Sequence, residues 1–251
     1  MPRKIPFLFF NSALIWALSE LFIIKPGLFF VSIALSVLVI VLTVKKLVGR
    51  QRIVFWPLLT ISPILYYLAA TFYSAILTNQ WWIQLILVSS AYAVFSYLKN
   101  IYYFFSFGAP EREVKLRKFI LSFSFLAFFA AAATLYALPI FLNFSLGFIF
   151  LLLFLLGGLF FAQLNILARN HRESWLFWSL NTIILGELSG VLLLLPLSFN
   201  VRGILAAIFF YGLILFNNWR SEGRLNFRNL RWPIILTFLL IFIILFSARW
   251  R

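Results

Sequence analysis

The chain contains no cysteine and no aspartate, and only one histidine and one methionine. Without cysteine it has no disulfide framework, no thiolate nucleophile and no thiolate metal site. His171 alone, with no aspartate, leaves the familiar triads, aspartyl dyads and metal clusters unbuildable from one copy of the chain. No catalytic constellation, no metal site and no cofactor is therefore expected, and the sequence points away from an enzyme. Negative charge is scarce as well. Six glutamates stand against 21 Lys and Arg residues, and charged residues make up only 11% of the chain, where a soluble domain carries about a quarter.

The positive balance of +15 would suggest a nucleic-acid partner in a soluble protein. Here the basic residues sit in short clusters between apolar stretches, the pattern of loops that face anionic lipid headgroups. The expected partner is a bilayer with anionic headgroups, joined by a membrane protein partner, and no nucleic acid.

Residues of hydrophobic type make up 64% of the chain and aromatics 20%, with 33 Phe among them. The interior of a 251-residue globule has too little volume to hide them all. A helix needs about 20 apolar residues to cross a hydrocarbon core of about 30 Å, and the chain divides into runs near that length. The runs predict an all-α polytopic transmembrane helix bundle in a single integral membrane domain, 1–251. About nine spans are expected, over residues 7–24, 28–44, 54–77, 82–102, 119–138, 144–167, 176–197, 203–218 and 232–246. Helices are favoured over a barrel because the runs are continuous and lack the alternation of strands with one polar face. Only helices satisfy their own backbone in lipid segment by segment.

Alternate connections are short: 25–27, 78–80, a turn over 139–143, and 198–202. The spans are thus expected as tight hairpins followed by one closing helix. Placing the amino terminus in the cytoplasm puts 17 of the 21 basic residues on that side and leaves only Lys25, Arg202, Arg249 and Arg251 opposite. The positive-inside rule then sets a cell-membrane protein with a cytoplasmic amino terminus and an external carboxyl terminus. The eighth run is short enough to suggest a re-entrant segment, but a full crossing keeps Arg220, Arg224, Arg228 and Arg231 inside. The first run follows Arg3 and Lys4 and could be read as a signal peptide. Its apolar stretch continues through Ile24, which favours retention as a span.

Glu187 lies in the seventh run, where an ionisable side chain costs about 3 kcal/mol on insertion scales. Gly186 and Gly190 flank it at a small-xxx-small spacing that lets another helix approach closely, and Asn181 and Ser189 add polar groups. Glu187 is thus either a proton carrier or cation ligand, or structural glue that hydrogen-bonds a neighbouring helix. Glu20, in the first run, is the other member of this intramembrane polar set, with headgroup contact as its competing role. Ser189 has no histidine in any run to activate it as a nucleophile. Pro63, inside the third run, removes the backbone bond to Leu59 and is expected to kink the helix. Tyr66, Tyr67 and Tyr73, followed by Ser89, Ser90, Tyr92, Ser96 and Tyr97, make the third and fourth runs the richest in hydroxyls, and helix packing is favoured over a ligand cavity for them. The arginines 220, 224, 228 and 231 share one arc if their segment is helical, and suit lipid phosphates.

These features leave three readings. The leading one is a small transporter or permease-like component with an intramembrane carboxyl site. The second is a structural or assembly subunit of a membrane complex, and the third a lipid-modifying membrane enzyme.

Overall fold

Backbone amides and carbonyls cannot be left open in hydrocarbon, so apolar runs of this length close their hydrogen bonds within themselves. The computed structural model describes residues 5–48, 56–107, 110–165, 171–221 and 227–247, and those residues are helical or in short links, with no strand among them. The helices are α1 (Ile5–Ile24), α2 (Phe29–Val48), α3 (Trp56–Ile76), α4 (Gln80–Phe107), α5 (Pro110–Leu142), α6 (Leu146–Asn165), α7 (His171–Leu194), α8 (Phe199–Ser221) and α9 (Phe227–Ser247). Eight of them, α1 to α8, are long and apolar enough to cross a membrane; in α9 the described apolar stretch is Thr237–Ser247. The protein is a helical, multi-pass membrane protein.

Several helix limits depart from the sequence expectation, those of α5 and α8 with a local cause. The turn expected over 139–143 is helix up to Leu142: α5 runs through Pro139 and ends at Asn143, whose φ of 53° is the left-handed conformation that closes many helices. At its other end α5 starts at Pro110, because proline is well suited to a first helical turn and the Glu, Arg, Lys and Leu residues behind it are good helix formers. The eighth span is a full-length helix of 23 residues and not a short segment from 203. It begins ahead of Arg202 because that guanidinium folds back and donates through Nη2 to the Leu195 carbonyl at 2.7 Å, while Ser198 Oγ accepts from the Val201 amide at 3.4 Å.

The described residues form two compact units, Met1–Ala127 and Phe128–Arg251, the boundary falling inside α5. In the first unit α1 packs on α2 and α4, and α3 packs on α4 and α2. Beside its buried apolar residues the unit turns small polar side chains inward. On α2 the small polar residues Ser32, Ser36 and Thr43 are buried, while Phe30, Leu35, Leu38 and Leu42 are exposed. Large hydrocarbon side chains outside and small hydroxyls inside are the arrangement that lipid favours, since interhelical contact in a bilayer comes from close packing and hydrogen bonds.

In the second unit α7 packs on α6 and α8, and α8 on α9. Its centre is aromatic. Phe128 and Phe210 stack at 4.5 Å between ring centroids, and Phe160 meets both edge-on at 5.4 and 5.8 Å, the offset and T-shaped geometries that aromatic quadrupoles prefer. Gly203 lets α8 lie against α5: a Cβ there would stand 2.7 Å from the Ala133 Cβ and 2.9 Å from its Cα.

Candidate functional site

Several long polar side chains inside the bundle tie one helix to another, while small hydroxyls such as Ser12, Thr134 and Thr182 bond carbonyls of their own helix. Tyr97 donates to the Leu59 carbonyl at 2.8 Å, the acceptor that Pro63, inside α3, cannot serve. Tyr66 donates to the Ile120 carbonyl at 3.0 Å. Asn11 Nδ2 donates to Thr43 Oγ1 at 2.7 Å, and that hydroxyl passes the chain on to the Val39 carbonyl at 2.7 Å. In the second unit Tyr136 donates to the Ser189 carbonyl at 3.0 Å and the Trp178 indole N–H to the Gly158 carbonyl at 2.8 Å. The hydroxyl-rich α3–α4 hairpin follows the same rule. Tyr66, Tyr67, Tyr73, Ser90 and Tyr97 are buried, whereas Ser89 and Tyr92 face outward.

The intramembrane polar set named from sequence is divided between the two units. Glu20 lies in the first unit, four residues before the end of α1. Its Oε2 accepts from Gln84 Nε2 at 2.9 Å, and its Oε1 is buried without a hydrogen-bond partner. Asn181, Ser189 and Glu187 share α7, but Asn181 and Ser189 are buried, at 5% and 1% exposure, and Glu187 is exposed. Ser189 and Glu187 are roughly 200° apart around a helix of 3.6 residues per turn.

The glycines beside Glu187 lie about 100° and 60° from it around the helix, on an adjoining face turned toward α6. Cβ atoms at Gly186 and Gly190 would stand 2.6 Å from the Phe154 ring and 2.8 Å from the Phe150 ring, so the two glycines are the seats for two α6 phenylalanines. Leu185 meets Gly157 on the same contact.

Glu187 therefore sits on the remaining face. Leu176, Leu180, Ile183, Val191 and Leu194 are all exposed, and with Glu187 they form a continuous stripe within about 80° of arc at 100° per residue. Glu187 is its one polar member. It stands seven residues before the end of α7, about 10 Å along the axis.

Of the basic set, Arg220 is exposed with its guanidinium 4.1 Å from the Phe177 ring centroid, a cation–π stack that holds the charge at the end of α8. Arg224 lies outside the described residues, and so do the side chains of Arg228 and Arg231 in the first turns of α9. Because α8 closes at Ser221 and α9 opens at Phe227, the four arginines are not on one described helix. Lys46 caps the same kind of contact elsewhere, with Nζ 4.2 Å from the Phe7 ring centroid.

Sequence reasoning missed the Gln84 partner of Glu20, which lies 64 residues away, and the outward direction of Glu187. A period-3.6 count of large aliphatics from Leu176 to Leu194 is the signal that locates the stripe. Among the described residues no three His, Asp or Glu side chains gather as a metal would need. No family model, no curated protein and no solved structure matches the chain.

Proposed function

We propose that the protein is an assembly subunit of the membrane, and that the Leu176–Leu194 face of α7 receives a partner transmembrane helix around Glu187. One observation carries this reading: a carboxyl exposed on an otherwise apolar helix face, deep within the span. Lipid offers it no hydrogen bond, and an ionisable group at that depth costs about 3 kcal/mol. A docked helix that hydrogen-bonds Glu187 removes the cost and converts it into specificity for the site. The rest of the bundle supports a packing role, since the hydroxyls of Tyr66, Tyr97 and Tyr136 and the Trp178 indole are spent on helix-to-helix bonds.

The test is a photoreactive residue placed at Ile183 or Val191 in the full chain, activated in membranes. A protein adduct at these positions, absent from Leu155 and Leu159 on the exposed face of α6, is the expected result. Lipid adducts alone at all four positions would count against the reading.

The orientation that suits this role has the basic links, Arg220, Arg224, Arg228 and Arg231 among them, against anionic headgroups of the cytoplasmic leaflet, with the amino terminus cytoplasmic and the carboxyl terminus external.

A transporter-like role is the second reading, and Glu20 favours it. A carboxyl with one oxygen held by Gln84 and the other buried and open is suited to carry a proton or meet a cation near the outer end of α1. Loss of proton-coupled or cation flux in reconstituted vesicles on Glu20→Gln, with folding intact, would support it; unchanged flux would remove it.

A further inference from the structure

Resting on the docking reading of α7, we infer that the occupant of this face is a second copy of the same chain, with the two Glu187 carboxyls paired across a two-fold axis along the membrane normal. Any occupant has to meet two demands. It must be apolar along about five turns, and at the depth of Glu187 it must offer a group that complements a carboxyl. The α7 stripe satisfies both against itself. A neutral carboxylic acid has one O–H donor and one carbonyl acceptor, so two of them exchange reciprocal hydrogen bonds and leave no polar group facing lipid.

Symmetry supplies the register. Two copies inserted the same way run their α7 helices parallel, and a two-fold axis along the normal sets residue i of one against residue i of the other. Both Glu187 side chains then stand at the same depth without any further adjustment. The stripe spacing, 176, 180, 183, 187, 191, 194, advances in steps of four and three, as a parallel helix seam does, with a single polar position to fix alignment. The glycines that would otherwise draw a neighbour to a different face of α7 are already occupied by Phe150 and Phe154. An ion pair with a cationic helix is the competing chemistry, and this chain offers no basic residue between Arg172 and Arg202.

The absence of cysteine makes the test direct, because the parent chain gives no background disulfide. Single-cysteine variants Ile183→Cys and Val191→Cys in the full chain are oxidised in membranes, with Leu155→Cys and Leu159→Cys as controls. A species of twice the chain mass is expected at 183 and 191 and not at 155 or 159. Adding Glu187→Gln, whose amide still both donates and accepts, is expected to keep the crosslink. Adding Glu187→Leu is expected to lower the dimer association constant about tenfold, equivalent to about 1.4 kcal/mol. A crosslinked dimer unaffected by Glu187→Leu would overturn the carboxyl pair, and equal crosslinking at all four positions would overturn the interface. If 183 and 191 give no dimer while the photoreactive residues trap a different protein, the second-copy inference fails and the docking reading stands. If they trap only lipid, both fail.

Discussion

The Tyr97 hydroxyl donates a 2.8 Å hydrogen bond to the Leu59 carbonyl, the backbone acceptor that Pro63 leaves without a helical partner. Tyr97 is fully buried on α4, so a side chain of the neighbouring helix completes what the proline takes out of α3. Proline and tyrosine are therefore one device: the carbonyl that Pro63 frees on α3 is bonded from α4.

That relationship predicts a non-additive pair. Tyr97→Phe leaves the Leu59 carbonyl open in an apolar interior and is expected to destabilise the protein by about 1 kcal/mol. Pro63→Ala returns an amide to the same carbonyl, so Tyr97→Phe in that background is expected to lose most of its effect. Denaturant unfolding in bicelles of the two single variants and the double variant measures the coupling. Equal losses in both backgrounds would show that the bond does not compensate for the proline.

The glycines are expected to differ by what faces them. Gly203→Ala drives a Cβ into the backbone of Ala133 at 2.9 to 3.0 Å, and that backbone belongs to a packed helix and cannot swing aside. The expected loss is about 2 kcal/mol or more. At Gly186 the added atom meets the edge of the Phe154 ring, which can turn, so Gly186→Ala is expected to cost less. Gly212 has nothing within 4 Å, and Gly212→Ala is expected to be neutral or slightly stabilising. Thermal unfolding of the three variants in one detergent gives the order.

The positive-inside orientation predicts opposite labelling of two exposed positions. In a chain with no cysteine, Asn79→Cys on the α3–α4 link is expected to react with a membrane-impermeant maleimide in intact cells. Lys115→Cys, near the start of α5, is expected to react only after permeabilisation. The reverse pattern would invert every span.

Much of the fold was legible because lipid imposes a simple rule: long apolar runs become helices. Limits were misread where a side chain makes a local exception. Arg202 looked like a residue that must lie outside a span, yet folding its guanidinium onto the Leu195 carbonyl lets α8 begin before it. Pro139 looked like a turn, yet a proline near the end of a helix forfeits one bond that the remaining turn survives. Glu187 was found as a candidate from sequence, but its direction was not. Apolar residues lie on both the packed and the exposed faces of α7, so the period-3.6 aliphatic stripe can be found in the sequence but hydropathy does not say that it is the face turned outward. The glycines that mark an approach for another helix receive the phenylalanines of α6, a partner that the spacing alone does not name. Glu20 and Gln84 are too far apart along the chain for any spacing to pair them.

The central claim is that the α7 stripe is covered by protein in the membrane. Spin labels at Leu180, Ile183 and Val191, compared with Leu155 and Leu159 on α6, report this through collision with dissolved oxygen, which concentrates in lipid. The account predicts low oxygen accessibility along the α7 positions and high accessibility on α6. Equal, lipid-like accessibility at all five would contradict it.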